Sequence, residues 1–349
     1  MDLSLFYFAD DASGADGYRL LLEGARFADA NGFRAVWTPE RHFHEFGGLY
    51  PNPAVTAAAV AAVTERIEIR AGSVVAPLHH PARIAEEWSV VDNLSGGRAG
   101  IAFASGWHSA DFALRPENYP RRREVLAETV RTVRRLWHGE PVTLAGGAGE
   151  PVTVRTFPAP VRPELPVWVT SSGSADTYRL AAELGSGVLT HLLGQDLDGL
   201  AEKIALYRKA YAAGPAAADD AGHVVLMLHT FLGRDRAQVR EAVREPFSTY
   251  LRSSIDLIAR AGTGGLPPGL DVAELAPADV AFLIDQSFDR YFDSSGLFGT
   301  VAEGREFVAA LAGIGVDEVA CLIDFGVPAA EVLAGLEPLS RLRALVAGV

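Results

Sequence analysis

Reactive side chains gather in four short stretches of the chain. Residues 38–47 read TPERHFHEFG and place Glu40, Arg41, His42 and His44 within a few positions of one another. Histidine exchanges protons near neutral pH, so His42 and His44 are candidates for acid–base work and Glu40 for orienting either ring. The same residues would also make a solvated loop anchored by Phe43 and Phe46. Residues 71–81, AGSVVAPLHHP, offer Gly72 and Ser73, where a flat ligand can lie against the backbone or where small residues fill a barrel's taper. His79 and His80 precede a proline able to open a helix, so a helix-start role is expected of both. No separated carboxylate accompanies them at metal-ligand spacing, and no metal is expected.

The third stretch, residues 104–108 (ASGWH), closes a small apolar run with polar and aromatic groups together. The fourth, TSSGSADT at residues 170–177, runs straight into a helical pattern. Hydroxyls and free backbone N–H groups at a helix start make an anion site, with Ser174 and Thr177 as ligands and Ser172 and Gly173 at the turn. An ordinary cap would explain one hydroxyl there, not four. Neither a G-x-G-x-x-G dinucleotide fingerprint nor a G-x-x-x-x-G-K-[ST] loop is present. Phosphate recognition without a Rossmann or P-loop motif is the implication.

The elements that must carry these stretches alternate in type. Short apolar strands at residues 3–9, 33–38, 67–75, 98–104, 166–170, 187–192, 224–232 and 318–324 are each followed by a helical pattern. Eight βα units without an interdomain linker predict a single (β/α)8 TIM barrel over residues 1–349, with insertions near 141–165 and 255–299. The second insertion is expected to act as a lid or to pack over one end. Active groups in such barrels sit where strands end at their carboxyl edge, as all four stretches do.

The chain has 349 residues, 49% hydrophobic and 21% charged, with no apolar run approaching a membrane span. A formal net charge of −13 with scattered arginines opposes binding to a nucleic-acid backbone. The single cysteine, Cys321, cannot form an internal disulfide, and no signal-peptide pattern opens the sequence. A soluble cytoplasmic protein is expected, with neither membrane nor nucleic acid as partner.

The ordered blocks VWTPERHFHEFGG, AGSVVAPLHHPARIAEEWSVVDNLSGGRAGIAFASGWHSADF, PENYPRRREVLAETVRTVRRLW and VWVTSSGSADTYRLAAELGSGVLTHLLGQ resemble the bacterial luciferase-like monooxygenases, flavin-dependent (β/α)8 barrels. Within that family the chain is similar to the branch associated with polyketide and nonribosomal-peptide biosynthesis. The blocks span most of residues 1–213; beyond 214 only SSGLFGT and the last strand look familiar. The resemblance implies reduced FMN from a separate NAD(P)H:flavin reductase, O2 as co-substrate, and insertion of one oxygen atom into an organic substrate, free or tethered to a carrier protein. It implies a homodimer too, for which residues 55–63 and 84–91 offer small and apolar side chains. A deazaflavin-dependent hydride-transfer enzyme, a phosphate-binding lyase and a non-catalytic flavin-binding protein are the rival readings.

Position by position, the resemblance implies a cis peptide at Gly72–Ser73 beneath the flavin ring. It places Thr38, Ala104, Ser105, Gly106 and Trp107 around the cofactor, and Ser172, Gly173, Ser174 and Thr177 at its phosphate. Glu40 and Arg41 match a Glu-His pair of luciferase, so Arg41 stands where luciferase has its catalytic histidine, with His42 beside it. Ser105 replaces an arginine that helps bind phosphate there. The light-emitting reaction is therefore not carried over. Glu40, Arg41, His42 and His108 are expected to converge as an acid–base cluster, the bland alternative being a Glu40–Arg41 ion pair and a helix-capping His108.

Overall fold

The computed structural model describes residues 1–9, 14–214, 221–261 and 276–347, with the side chains of 254–261 and 277 left aside. β1 (Asp2–Phe6) leads into α1 (Gly14–Ala30), and β2 (Ala35–Thr38) into α2 (Pro53–Ala61). β3 (Glu68–Val75), α3 (Pro81–Ser95), β4 (Ala99–Ala104) and α4 (Arg122–Trp137) repeat the pattern. An antiparallel hairpin, β5 (Val142–Ala145) with β6 (Pro151–Val154), interrupts it at the first expected insertion. Then come β7 (Val167–Ser171), α5 (Ala175–Glu183), β8 (Gly187–His191), α6 (Leu197–Ala212), β9 (Val224–Gly233) and α7 (Arg236–Ala261). α8 (Pro277–Arg290), a π-helical turn at Tyr291–Ser295, β10 (Leu297–Thr300), α9 (Val301–Gly313), β11 (Glu318–Leu322) and α10 (Ala329–Val346) complete the order.

Eight of these strands close a parallel barrel in the order β1, β2, β3, β4, β7, β8, β9, β11, with β8 joining β9 and β11 joining β1. All eight strands expected from the alternation are present. β10 was not anticipated: it pairs in parallel with the far end of β9, Leu297 opposite Thr230 through Thr300 opposite Gly233. α7 continues past residue 254, where its pattern was expected to end, and carries Pro246 inside it. The expected lid falls partly on residues 262–275, outside the described residues.

Local chemistry explains the boundaries. α2 opens on Pro53 after Asn52, whose side chain accepts from the N–H groups of Ala54 and Val55. α3 ends at Gly96 in the left-handed region, φ 69°, where Gly97 N–H reaches back to the Asp92 carbonyl. α9 carries a capping box between Thr300 and Glu303, legible in sequence as TVAE. The buried Asp92 carboxylate accepts from the N–H groups of Val161 and Arg162 and so pins the segment returning from the hairpin.

Inside the barrel, Phe6, Trp37, Ala102, Trp168, Leu189, Val225, Ala320 and Leu322 pack together. β3 contributes Gly72 to this layer, because a Cβ there would lie 2.6 Å from the Phe6 ring and 3.2 Å from Trp37. Beneath it, at the amino ends of the strands, Arg70 is 1% exposed and stacked between Trp37 and Trp168, 4.8 and 4.4 Å from their ring centroids. Its Nη1 donates to Glu318 at 2.8 Å, while Nε and Nη2 donate to Glu68 at 2.9 and 2.7 Å. Ser4 and Trp37 supply two more donors to Glu318. Burial alone would raise the Glu318 pKa, but the Arg70 and His223 charges with these hydrogen bonds hold it down at about 2. The single thiol, Cys321, is wholly buried in β11, and burial pushes its pKa up to about 12.

Candidate active site at the carboxyl rim

The ends of β2, β3 and β4 bring the first three stretches to one rim, and β7 brings the fourth beside them. Glu40 lies two residues beyond β2 with no side-chain exposure. Its Oε2 accepts from Val75 N–H at 2.7 Å, and its Oε1 faces His42 Nε2 at 2.7 Å and His79 Nε2 at 2.6 Å. An ionised carboxylate only accepts, so both rings present Nε2–H to the same oxygen. Burial would raise the Glu40 pKa; the two histidine contacts and the Val75 amide overcome it and keep it below the usual range. Burial correspondingly pulls His79 down, and Glu40 more than reverses that.

The helix-start role expected of the two adjacent histidines holds for His80, whose Nδ1 accepts from Ala82 N–H at the start of α3. His79 departs from it, because Glu40, 39 positions earlier, reaches its ring across the β2–β3 crossover. The ligand atoms of Glu40, His42 and His79 lie within 4.8 Å of one another.

Arg41 belongs to a second group. Its guanidinium is buried, its Nη1 is 3.3 Å from Asp111 Oδ2, and it lies over the Trp107 ring at 5.2 Å. Arg41 Nε and Nη2 are buried without a hydrogen-bond partner. Asp111 also stands 3.4 Å from His108 Nδ1, yet that nitrogen and Asp111 Oδ1 are both unsatisfied. Burial, then the nearby Arg41 charge, lowers the His108 pKa against the pull of Asp111. The expected single cluster thus forms as two groups, Glu40–His42–His79 and Arg41–Asp111–His108. No Glu40–Arg41 ion pair occurs among the described residues. His108 precedes the 3-10 turn Ser109–Leu114 without a side-chain cap bond.

The Gly72–Ser73 peptide is cis. Ser73 Oγ is hydrogen-bonded to Thr170 Oγ1 of β7, tying the two strand ends together. Thr38 is 2% exposed, and its hydroxyl accepts from Thr56 in α2. Ala104, Ser105 and Gly106 are half-buried and Trp107 is exposed at the end of β4. Gly106 turns with φ 72°, and a Cβ there would press on Phe112 and Val75.

At β7, Ser174 occupies the N-cap of α5 but makes no side-chain cap bond, which leaves its hydroxyl for another partner. Gly173 adopts φ 109°, Ser171 Oγ accepts its N–H, Ser172 is exposed, and Thr177 lies in the first turn of the helix. A Cβ on Gly173 would sit 3.3 Å from Lys203 Nζ. That ammonium, from α6, donates to the neutral Gln195 Oε1 at 2.7 Å. A cation therefore stands at the expected phosphate site, where Ser105 supplies none.

Across the barrel, the carboxyl end of β9 packs into an aromatic cluster. His229 of β9 packs against Phe247, Tyr250, Tyr291 and Phe325, with centroids 4.7 to 6.0 Å away. Burial lowers its pKa to about 3, so it stays neutral, and its Nε2 has no partner. Tyr250 continues to Phe46 and Phe46 to Phe8. Asp111, His79, Lys203 and His229 were not among the candidates. Asp111 stood inside a quoted block, while Lys203 and His229 carried no local signal.

The family model of the luciferase-like monooxygenases matches residues 1–318. The oxygenase component of a flavin-dependent trigonelline monooxygenase from Acinetobacter baylyi is 29% identical over 174 residues, 49% of this chain and 48% of that protein. An F420-dependent glucose-6-phosphate dehydrogenase from Amycolatopsis mediterranei is 30% identical over 182 residues, 50% of this chain and 53% of that one. The oxygenating constituent of 3,6-diketocamphane monooxygenase from Pseudomonas putida, solved with FMN, superposes with a TM-score of 0.76 at 20% identity, over 99% of this chain and 98% of its own, a likeness of fold alone. Among the described residues no helix is long and apolar enough to cross a membrane. With its model matched over nine-tenths of the sequence, the chain belongs to the luciferase-like monooxygenase family.

Proposed function

We propose that this chain is the oxygenase component of a two-component FMN-dependent monooxygenase, fed reduced FMN by a separate NAD(P)H:flavin reductase. The observation that carries the reading is the start of α5. There an N-cap hydroxyl free of capping, a glycine turn and the Lys203 ammonium surround the amide donors of a helix N-terminus at the barrel's carboxyl rim. Ser174 and Thr177 would hold the cofactor phosphate with Ser172 and Gly173. Thr38, Gly72, Ser73 and Ala104 to Trp107 would border its ring. When bound, reduced FMN supplies the electrons that activate O2 for transfer of one oxygen atom.

The chain's own residues then do three things. The aromatic wall of His229, Tyr250 and Phe46 excludes water and suits an apolar organic substrate. Arg41, with two unpartnered nitrogens, stabilises negative charge on oxygen. His42, oriented by Glu40, and His108, beside Asp111, move protons. A place in natural-product biosynthesis rests on the resemblance. Dimerisation through α2 and α3 is supported by the outward Val55, Val90 and Leu94.

Anaerobic titration with reduced FMN followed by an oxygen pulse tests the reading. Tight binding of reduced FMN, and oxygen uptake that needs an added reductase when NADH is the electron source, are expected. Preference for a reduced deazaflavin with no oxygen uptake would establish the hydride-transfer rival instead.

A further inference from the structure

We propose that Glu40, His42 and His79 form a binding site for a divalent transition-metal cation of the zinc class. Three donors converge from separate elements: a carboxylate beyond β2, an imidazole two residues later, and a second imidazole before α3. All three ligand atoms lie within 4.8 Å of one another. The present separations of 2.7 and 2.6 Å are hydrogen-bond distances. A tetrahedral zinc with ligands at about 2.0–2.1 Å holds neighbouring donors roughly 3.3 Å apart, so each ring need only retreat by under about 1 Å.

The donor set selects the ion. Two neutral imidazoles and one carboxylate suit zinc, cobalt and their neighbours, whereas magnesium and calcium demand oxygen ligands. Each ring must free Nε2 of its proton, which goes to Nδ1 of a neutral ring or to solvent from a protonated one, so that both bind as neutral imidazoles. The support a metal site requires is already built: Val75 N–H fixes the second Glu40 oxygen and hence the direction of the first. Glu40 is closed to solvent, but the His79 side chain is 27% exposed and gives the ion a way in. Three protein ligands leave a fourth position open. Occupancy would engage His42 and the Glu40 that orients it in the proposed oxygenation, and in that respect the inference rests on that reading.

The test uses the metal-stripped full chain without flavin. Cobalt titration should give one equivalent with the visible absorption of a tetrahedral N/O site, and calorimetry should show zinc displacing it. His79→Ala should weaken zinc by about 100-fold or more, beyond the 10- to 100-fold typical of an outer-sphere change. Glu40→Gln, which preserves shape, should weaken it as well. His80→Ala, a neighbouring ring directed at α3, should leave affinity unchanged, and circular dichroism checks that each variant is folded. Absence of a cobalt band and of zinc heat in the wild type, or equal zinc affinity in folded His79→Ala, overturns the proposal. Because cobalt is read without flavin, a failure of FMN binding would count against the oxygenase reading alone, and a failure of cobalt binding against the metal site alone.

Discussion

Arg70 and Arg41 sit at opposite ends of the same barrel, each against tryptophan and each beside buried carboxylate. At the amino end, every donor nitrogen of Arg70 meets an oxygen, and the two acids it serves are themselves held by further donors. At the carboxyl end, Arg41 makes one contact of 3.3 Å and leaves Nε and Nη2 buried and unsatisfied. An unpaired buried donor costs about 1–3 kcal/mol, so the two ends differ in what they do with similar parts. The amino end uses charge to close the barrel, and the carboxyl end leaves donors unsatisfied, as the proposed role of Arg41 requires.

Five variants press on that difference. The largest effect belongs to Arg70→Met, which takes the guanidinium from the fully buried Glu318 and should cost about 3–5 kcal/mol in chemical denaturation. A loss below about 1 kcal/mol would mean that the amino end is not the structural one. Arg41→Ala should cost clearly less stability yet lower single-turnover oxygenation by about 10²- to 10³-fold, as expected when a donor to developing charge is removed. Equal turnover in that variant would return Arg41 to the structural class.

Replacing Ser174 and Thr177 together with Ala should weaken FMN by about 1.5–3 kcal/mol, the range for hydrogen bonds to a charged group. Lys203→Ala should follow with about 0.5–1 kcal/mol, as for a half-exposed charge, and more at low salt. Unchanged affinity in both would move the phosphate elsewhere. The last difference appears only in acid. Glu318 falls from an ordinary 4.5 to about 2 on folding, so its contribution is complete above pH 4.5 and disappears as pH drops towards 2. Stability measured across that window should decline less steeply in Glu318→Gln than in wild type.

The barrel was legible because its signals are local: eight apolar runs, each followed by a helical period. β10 escaped because Leu297–Thr300 is four residues long and is held as a strand by the far end of β9, a partner no periodicity reveals. At the site, residue types were readable and their pairing was not. The sequence places Glu40 beside Arg41, but consecutive residues diverge past a strand end. Glu40 turns to His79 and Arg41 to Asp111, 39 and 70 positions away. Lys203 reaches Gly173 only because α6 packs alongside α5.

The burial of Cys321 gives this protein a built-in clock for unfolding. A thiol with its pKa pushed up to about 12 carries almost no thiolate at neutral pH and is closed to reagents, so the folded chain should be silent to maleimide and to mild oxidants. Labelling then requires β11 to leave the barrel, which breaks its pairing with β1 and β9 at once. The labelling rate, followed by mass as a single addition, should equal the opening rate at high reagent concentration. At low reagent concentration, where the population of the open state sets the rate, it should slow when FMN is bound, because a ligand that holds only the folded state lowers that population.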